Sequence, residues 1–395
     1  MKFSGTRVRG IRTPIIKTGD NLEEIVVSSI ERAANEDNIK FNDKDVVAIT
    51  EAVVSISQGN YASIQDIAND VKEKFPSGTV GLVFPIMSRN RFSLLLKGIS
   101  MGVEKLVIQL SYPGDEMGNK LISQYDIFEK DINPTNDVFT MDEFQKIFPN
   151  PVHEFTGVNY LEFYKSLCAC PVEIILANKV ETILNYTDQV IVGSVHNRKI
   201  DKMILNKCGA KKVIGLDDIM NKPGTLCGYN DKYGILGSNM STDDRVKLFP
   251  RDCTDFVNSV KSKLLSKFGK NIEVMVYGDG AFKDPQGGIW ELADPVVSPG
   301  FTEGLKGTPN ELKLKYISDN KLADLKGEEL AKAMKDLIKA KDANLKGKNE
   351  TLGTTPRQIT DLLGSLSDLT SGSGDKGTPV ILIQDYFKNY SDDEE

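Results

Sequence analysis

The chain has 395 residues, of which 40% are hydrophobic and 27% charged, and its formal net charge is −7. This length suits two or three domains, and the acidic balance argues against nucleic-acid or anionic-membrane binding, which needs a basic surface. The sequence contains no run of about 18 apolar residues, so we expect no membrane-spanning helix. The first ten residues, MKFSGTRVRG, lack the apolar core of a signal peptide. The five cysteines form no CxxC pair, so we expect a reduced, cytoplasmic protein without a structural zinc site.

The first part of the chain alternates strand and helix patterns. Residues 13–16 are short and extended, and Gly19-Asp20 is predicted to cap a helix that begins near Asn21. Gln58-Gly59-Asn60 is predicted to form a turn. Strand patterns follow at DVVAI, TVGLVFP and KLVIQL, with helical patterns over residues 63–74 and in SRNRFSLLLKGISMG. This alternation predicts crossover units and a mainly parallel sheet.

The pattern weakens between residues 131 and 150, and we place a domain boundary there. Residues 131–250 are predicted to form a smaller, inserted α/β subdomain, with strands VEIILAN, QVIVGS and KKVIGL and helices VETILNY and KIDKMILNKCGA. Residues 1–130 and 251–395 are predicted to build one core. The predicted fold class is therefore α/β, a mixed sheet without Rossmann order and with an inserted subdomain.

The last part of the chain joins a helix over residues 253–268 to a buried strand over residues 272–277. Residues 322–346 read as a charged, solvated helix. A helix (QITDLLGSLSDLTS), a glycine-rich loop (SGSGDKGTP) and a strand (VILIQDY) come before the acidic end SDDEE.

The strand over residues 272–277 stops at an acid, Asp279, between Gly278 and Gly280. Glycines allow backbone to approach a phosphate closely, and ligands of open α/β sheets gather at the carboxyl ends of strands. We interpret Asp279 as part of a metal-phosphate site, with a ligand-free Asx turn as the alternative.

The loop Gly372-Ser373-Gly374-Asp375-Lys376-Gly377 matches GxGxxG, but a helix precedes it and a strand follows it. The dinucleotide fingerprint needs the reverse order, so we exclude a Rossmann NAD site there. Its free amides and Lys376 suit anionic oxygens, and a plain surface turn is the alternative. No GxxxxGK[ST] string occurs, which excludes an ordinary P-loop.

A second acidic loop, with Asp115 and Glu116, follows the strand KLVIQL. Hard divalent cations prefer carboxylate oxygens, so both acids and Asp279 are predicted to converge on Mg²⁺ or Mn²⁺. Solvated turn acids are the alternative. His196 also follows a strand, where a histidine is more often simply hydrogen-bonded than catalytic.

These stretches together resemble the γ-glutamyl ligases of deazaflavin coenzyme (factor 420) biosynthesis, in a long form. The strings that carry the resemblance are RTPIIKTGDNL, DVVAITEAVVSISQGN, the strand ending in Gly278-Asp279, and GSGDKGTP. They cover about residues 7–60 and 271–387, whereas the middle of the chain has no counterpart in the shorter enzymes. The family motif GIDxSN is not found, and DTxGR becomes Asp279-Gly280-Ala281.

The resemblance implies a ligase fold that assembles as a homodimer and uses GTP (or ATP) as co-substrate with Mg²⁺ or Mn²⁺. It implies that L-glutamate is joined to a small carboxylate acceptor by a γ-glutamyl-type amide bond. Asp279 would hold metal, and Lys376 would offset developing charge. The nucleotide would be bound by Thr13, Pro14, Ile15, Ile16, Glu51, Ala52, Gly372, Ser373, Gly374, Asp375, Gly377 and Thr378.

A carboxylate is a poor electrophile, so the hypothesis includes its phosphorylation to an acyl phosphate before the glutamate amine attacks. Two alternatives stay open. One is a non-catalytic nucleotide-binding or regulatory protein derived from this fold. The other is a transferase or oxidoreductase built on residues 151–250, which lack a glycine fingerprint. The acceptor is a deazaflavin, a folate or another carboxylate.

Overall fold

The computed structural model describes residues 4–154, 156–224, 227–278, 298–352, 357–371 and 375–392. Within them the strands are β1 (Arg7–Ile11), β2 (Val46–Thr50), β3 (Tyr61–Ser63), β4 (Thr79–Val83), β5 (Lys105–Leu110), β6 (Phe139–Thr140), β7 (Val172–Leu176), β8 (Gln189–Val192), β9 (Lys212–Gly215), β10 (Asn239–Met240), β11 (Arg245–Lys247), β12 (Glu273–Tyr277), β13 (Gly300–Phe301) and β14 (Val380–Gln384).

The α-helices of the same residues are α1 (Leu22–Glu36), α2 (Glu51–Gln58), α3 (Ile64–Lys74), α4 (Ser93–Met101), α5 (Gln124–Glu129), α6 (Met141–Ile147), α7 (Tyr160–Leu167), α8 (Arg198–Lys207), α9 (Cys253–Phe268), α10 (Leu314–Asn320), α11 (Gly327–Lys339) and α12 (Ile359–Thr370). Short 3₁₀ helices cover Val180–Asn185, Leu216–Asp218, Glu303–Leu305 and Asn349–Thr351. None of these described helices combines the length and the apolar character that crossing a membrane requires.

The first of three sheets, which we call the mixed sheet, has the strand order β1-β14-β2-β12-β13. β2 and β12 are parallel, and the other neighbours are antiparallel. Successive side chains of a strand point to opposite faces, so Val47 and Ile49 pack with α1 and α9 while Val46 and Ala48 pack with α12. Burial on both faces explains why DVVAI reads as a continuous apolar run.

Several predicted elements of this unit are confirmed. α1 begins beside Asn21, whose side chain accepts a hydrogen bond from the Glu24 amide at 3.3 Å and so caps the helix. α9 has the predicted bounds, and the predicted strands appear as β2, β12 and β14. The charged helix is shorter than expected, because it covers only α11.

The second sheet, which we call the parallel sheet, has the order β6-β7-β5-β4-β8-β9, with only β6 antiparallel. α3, α4 and α7 cover one face, and α8 and the 3₁₀ helix Val180–Asn185 cover the other. Counted among themselves, the five parallel strands follow the 3-2-1-4-5 order of dinucleotide-binding folds. The expectation of a fold without Rossmann order therefore does not extend to this sheet, because an alternating pattern does not reveal which strands pair.

The parallel sheet also bears on the boundary placed between residues 130 and 131. β4 and β5 precede that boundary, and β7, β8 and β9 follow it, yet all five pair within one sheet. The weak pattern that suggested a boundary corresponds to α5, β6 and α6, which connect β5 to β7. The residues chosen as a boundary therefore form a long connection between two strands of the parallel sheet.

The third sheet, which we call the linking sheet, has the order β10-β11-β3, and each strand is antiparallel to its neighbour. It joins the unit built on the mixed sheet to the unit built on the parallel sheet. β3 follows α2 of the first unit, and β11 precedes α9. Buried polar contacts hold this junction: Ser55 Oγ donates to the Leu248 carbonyl at 2.6 Å, and Asn60 Nδ2 donates to the Phe249 carbonyl at 2.6 Å. Buried hydrogen bonds of this kind fix how the units meet.

Candidate functional site

One row of paired residues crosses the mixed sheet near one of its edges. Ile11 pairs with Val380, Val380 with Ile49, and Ile49 with Val276. Beyond this row β1, β2 and β12 end and β14 begins. Four segments therefore meet there, and we call them the mixed-sheet edge: residues 12–16, 50–52, 277–278 and 375–379.

Backbone hydrogen bonds tie these segments together. The Thr13 amide donates to the Gly377 carbonyl at 3.3 Å, and the Thr50 amide donates to the Pro379 carbonyl at 3.0 Å. Tyr277 pairs with Thr50 across the parallel β2–β12 ladder. Most of the predicted nucleotide residues thus share one edge of the sheet: Thr13, Pro14, Ile15, Ile16, Glu51, Ala52, Asp375, Gly377 and Thr378, with Lys376 beside them.

Four of the predicted site residues lie outside the described residues: Asp279, Gly372, Ser373 and Gly374. Gly278, directly before Asp279, is described and follows β12 at the mixed-sheet edge. Asp375, directly after Gly374, is described at the same edge.

The loop before β14 has three exposed residues followed by a buried threonine. Asp375, Lys376 and Gly377 are exposed, whereas Thr378 is buried. β1 packs closely against Thr378, because a Cβ added at Gly10 would lie 2.9 Å from Thr378 Cβ. Ile15 is 88% exposed nearby, which is unusual for an isoleucine in an otherwise well-packed unit.

A buried ion pair lies at this edge between the two units. Glu51 is the first residue of α2, and Lys247 Nζ lies 3.1 Å from its Oε1 and 3.3 Å from its Oε2. The two side chains are 6% and 8% exposed. Sequence analysis missed Lys247, because its partner is 196 residues away and a lysine in a short strand reads as a surface residue.

Tyr277 adds a third buried polar group at the end of β12. Burial raises the pKa of its hydroxyl, Ser371 opposes that shift, and the charges of Asp368 and Glu51 add to it. Although Ser371 is close enough to act on the pKa, the Tyr277 hydroxyl makes no hydrogen bond of normal geometry with any residue of the described ranges. The hydroxyl is therefore a buried donor without a partner there.

Asp115 lies at the other candidate location, beyond the end of β5 in the parallel sheet. Its Oδ1 accepts from the Met117 and Asn119 amides at 3.0 and 2.9 Å. Its Oδ2 accepts from the Met87 amide at 2.7 Å and from Asn119 Nδ2 at 2.8 Å. Burial raises the pKa of Asp115 to about 6 against these hydrogen bonds, which lower it. A carboxylate offers about four lone-pair sites, so no lone pair is left for the predicted metal ion.

Glu116 caps the start of α8 from outside the helix. Its carboxylate accepts from the amides of Val195, His196 and Asn197 and from Asn197 Nδ2, at 3.2 Å for His196 and 3.4 Å for the Asn197 amide. Helix N-termini favour a negative charge, and Glu116 supplies it internally. His196 contributes its backbone to this cap.

Neither acid of this loop is free to bind a cation in the way the sequence suggested. Over the described ranges, no group of three or more His, Cys, Asp or Glu side chains is placed to hold a metal ion. Asp115 and Glu116 belong to the parallel sheet, whereas Gly278 belongs to the mixed sheet. The residues of the parallel-sheet loop therefore do not fit the expected Mg²⁺ or Mn²⁺.

In Rossmann-type sheets nucleotides bind in the crevice beside the strands that correspond here to β4 and β8. The loop after β4, residues 84–92, contains no glycine. A Cβ at Gly193, after β8, would lie 2.9 Å from Pro85 Cα, so the two loops are in direct contact. This packing disfavours a dinucleotide enzyme built on residues 151–250.

Comparison with known families gives one match. A family model described as F420-0:Gamma-glutamyl ligase matches residues 10–385. The matched range runs from β1 to the residue after β14 and includes the whole mixed-sheet edge. No curated protein matches the chain.

Proposed function

Since the chain belongs to the F420-0:gamma-glutamyl ligase family, we propose that it joins L-glutamate to a small carboxylate acceptor with consumption of GTP or ATP. The family identity points to a ligase that forms γ-glutamyl bonds, which are C–N bonds. The nucleotide, the acyl phosphate, the divalent cation, a homodimer and a cytoplasmic location are the finer parts of this proposal.

The observation that carries the proposal is the register of the mixed sheet. β14 and β12 lie on either side of β2, so their ends at this edge are roughly 10 Å apart. Asp279 is bonded to Gly278, and Gly374 is bonded to Asp375, with consecutive Cα atoms about 3.8 Å apart. This register supports the proposal, because Gly278 and Asp375, the described neighbours of the predicted acid and the predicted phosphate loop, both lie at the mixed-sheet edge.

The proposed chemistry has two steps. In the first, an acceptor carboxylate oxygen forms a bond to the γ-phosphorus, and the bond to the β–γ bridging oxygen breaks to release the nucleoside diphosphate. In the second, the glutamate amine forms a C–N bond to the acyl carbon, the C–O bond to phosphate breaks, and the amine loses a proton to solvent or phosphate.

The protein's contribution to both steps is to collect anions and balance their charge. The exposed residues 375–377 suit the phosphate oxygens, and Lys376 adds a positive charge there. Residues 13–16 and 51–52 would contact the nucleotide. A divalent cation, for which Asp279 is the proposed ligand, supplies further neutralisation when bound.

The direct test is a phosphate-release assay on the full chain with Mg²⁺ or Mn²⁺, GTP or ATP, L-glutamate and candidate acceptors. We expect phosphate release that needs both glutamate and an acceptor, and a product heavier than the acceptor by one glutamyl residue in mass spectrometry. Omitting glutamate is the control. Phosphate release that is equally fast with and without glutamate would contradict the ligase proposal.

One sequence feature favours a second candidate, nucleotide binding without catalysis. Residues 234–239 read GILGSN, which matches GIDxSN except that Leu236 replaces the acid. Leu236 is 1% exposed and packs in the core of the parallel-sheet unit. This candidate predicts thermal stabilisation by GTP or ATP with no phosphate release under any combination of acceptors.

A further inference from the structure

In the described part of the chain, the buried ion pair of Glu51 and Lys247 makes fewer hydrogen bonds than its donors and acceptors allow. Among the residues the structure describes, each makes side-chain hydrogen bonds only to the other. An ammonium carries three N–H donors and a carboxylate about four acceptor sites, so most of this capacity is unused. Burying two charges with few hydrogen bonds is often less favourable than an apolar pair of the same size. Such a pair therefore calls for an explanation other than stability.

A second buried pair in the chain shows what a saturated arrangement is. Glu273, at the other end of β12, bonds Lys261 Nζ at 2.8 Å and also accepts from Thr302 Oγ1. Lys261 is 24% exposed and so reaches water as well. Within the described part of the chain, the Glu51–Lys247 pair has no additional side-chain donor, and its lysine is only 8% exposed.

The strand register directs Lys247 towards the mixed-sheet edge. In β11, Lys247 pairs with Tyr61 of β3, and its neighbours Val246 and Leu248 are buried in the core of the parallel-sheet unit. Alternation along the strand sends Lys247 to the opposite side, where it meets Glu51 at the start of α2. Lys247 of the linking sheet thereby places a positive charge beside α2, next to the mixed-sheet edge.

Two neighbouring residues connect the pair to the mixed-sheet edge. Thr50, next to Glu51, donates its amide to Pro379, which follows directly on the predicted phosphate loop. The Tyr277 hydroxyl is buried, 1% exposed for the residue, and has no hydrogen-bond partner of normal geometry in the described ranges. Two independent features of this edge, the ion pair and the tyrosine, thus present unused donors.

We propose that Lys247 donates a hydrogen bond to an anionic oxygen of a bound substrate, with Glu51 holding its ammonium in place. The oxygen belongs to the nucleotide's phosphate chain or to the carboxylate of glutamate. This inference rests on the proposed function, because it takes the mixed-sheet edge as the substrate site. Lys247 is then a substrate-binding residue that the linking sheet supplies.

The experiment compares dissociation constants, from ligand-dependent thermal shifts, for three probes: GTP with Mg²⁺, inorganic tripolyphosphate, and L-glutamate. The variants are Glu51→Gln, which leaves the Lys247 ammonium without its carboxylate, and Glu51→Gln with Lys247→Met, which removes both charges. The control, Glu273→Gln with Lys261→Met, removes both charges of the saturated pair in the same way. We expect the double variant to bind at least one probe about tenfold more weakly than Glu51→Gln does, which is the effect of one charge-assisted hydrogen bond.

The identity of the weakened probe tells which substrate Lys247 contacts. Weaker binding of GTP and tripolyphosphate indicates the phosphate chain, and weaker binding of glutamate alone indicates the carboxylate. Equal constants for the two Glu51 variants with every probe would overturn the Lys247 contact and leave the ligase proposal standing. An equal loss in the control Glu273→Gln with Lys261→Met would overturn it too.

Two further outcomes are also decisive. If none of the probes stabilises the unmodified protein, this inference and the proposed function both fail. If the double variant does not fold, Lys247→Arg replaces it, because arginine keeps the charge but moves the donors. Unchanged probe binding by a folded Lys247→Arg variant would then reject the contact.

Discussion

The two sheet edges of this protein look alike in sequence and differ in chemistry. At each, an acid follows a strand with a parallel neighbour: Asp279 after β12, and Asp115 with Glu116 after β5. At the parallel-sheet edge, backbone amides and Asn119 occupy the carboxylate oxygens. At the mixed-sheet edge, exposed loop residues, a sparsely bonded ion pair and a buried tyrosine hydroxyl converge.

The difference teaches that an acid at a strand end is ambiguous until its hydrogen bonds are counted. A carboxylate surrounded by the protein's own N–H donors stabilises a loop, as Glu116 does at the start of α8. A place where donors remain unused is where a ligand's oxygens can be bound. The comparison predicts catalytic effects at the mixed-sheet edge and stability effects at the parallel-sheet edge.

The largest expected effect is on catalysis at the mixed-sheet edge. Lys376→Met should lower kcat about a hundredfold, because one group that stabilises transition-state charge is typically worth that much. The melting temperature should stay unchanged, since Lys376 is exposed. Steady-state phosphate release and a thermal melt check both parts. A melting temperature that falls along with kcat would count against a role in substrate binding.

At the parallel-sheet edge, Asp115 should make stability depend on pH. Its folded pKa of about 6 exceeds the unfolded value of about 4, so the folded state binds this proton more tightly. Its contribution is therefore fully present below about pH 4 and is lost as pH rises through about 6, a change of roughly 3 kcal/mol. Urea unfolding of the wild type and Asp115→Ala between pH 4 and pH 7 measures it. Parallel pH profiles for the two proteins would refute the assignment.

Removing the cap of α8 should cost less. Glu116→Ala leaves the amides of residues 195–197 without their acceptor, and we expect a loss of about 2 kcal/mol in the free energy of unfolding. Glu116→Gln, which keeps one amide oxygen as acceptor, should lose about half as much. Phosphate release per folded molecule should be unchanged in both, and a drop in kcat would return Glu116 to the catalytic site.

The smallest effect tests how β1 supports the phosphate loop. Gly10→Ala places a Cβ against Thr378 and should lower kcat/KM for the nucleotide about tenfold by shifting that loop. Gly5→Ala is the matched control, because a Cβ at Gly5 meets no atom within 4 Å. Identical kinetics for the two variants would show that the base of the loop does not position substrate.

Much of the local structure could be predicted from the sequence. The start of α1 near Asn21, the alternation of strands and helices, and the bounds of α9 follow from short-range rules of capping and periodicity. The cap itself was assigned to Gly19-Asp20, whereas the structure gives it to Asn21. The predicted turn at Gly59 is confirmed by its φ of 63° and its position at the end of α2. α2 itself was missed, because it begins directly after β2 with no loop residue between them.

The non-local features could not be predicted, for a physical reason. Which strands share a sheet depends on pairings between distant segments, so a boundary at residue 130 looked reasonable although β5 and β7 pair across it. The contact of Lys247 with Glu51 likewise joins residues that are 196 positions apart in the sequence. The saturation of Asp115 depends on Met87, a residue of another loop, which no motif around Asp115 reveals.

The most direct test of the account sets one acid from each edge against the other. Glutamate-dependent phosphate release should fall at least about a hundredfold in Asp279→Asn and stay within about twofold of wild type in Glu116→Gln, per folded molecule. Wild-type rates in Asp279→Asn, or an equal loss in Glu116→Gln, would contradict the claim that the mixed-sheet edge carries the chemistry.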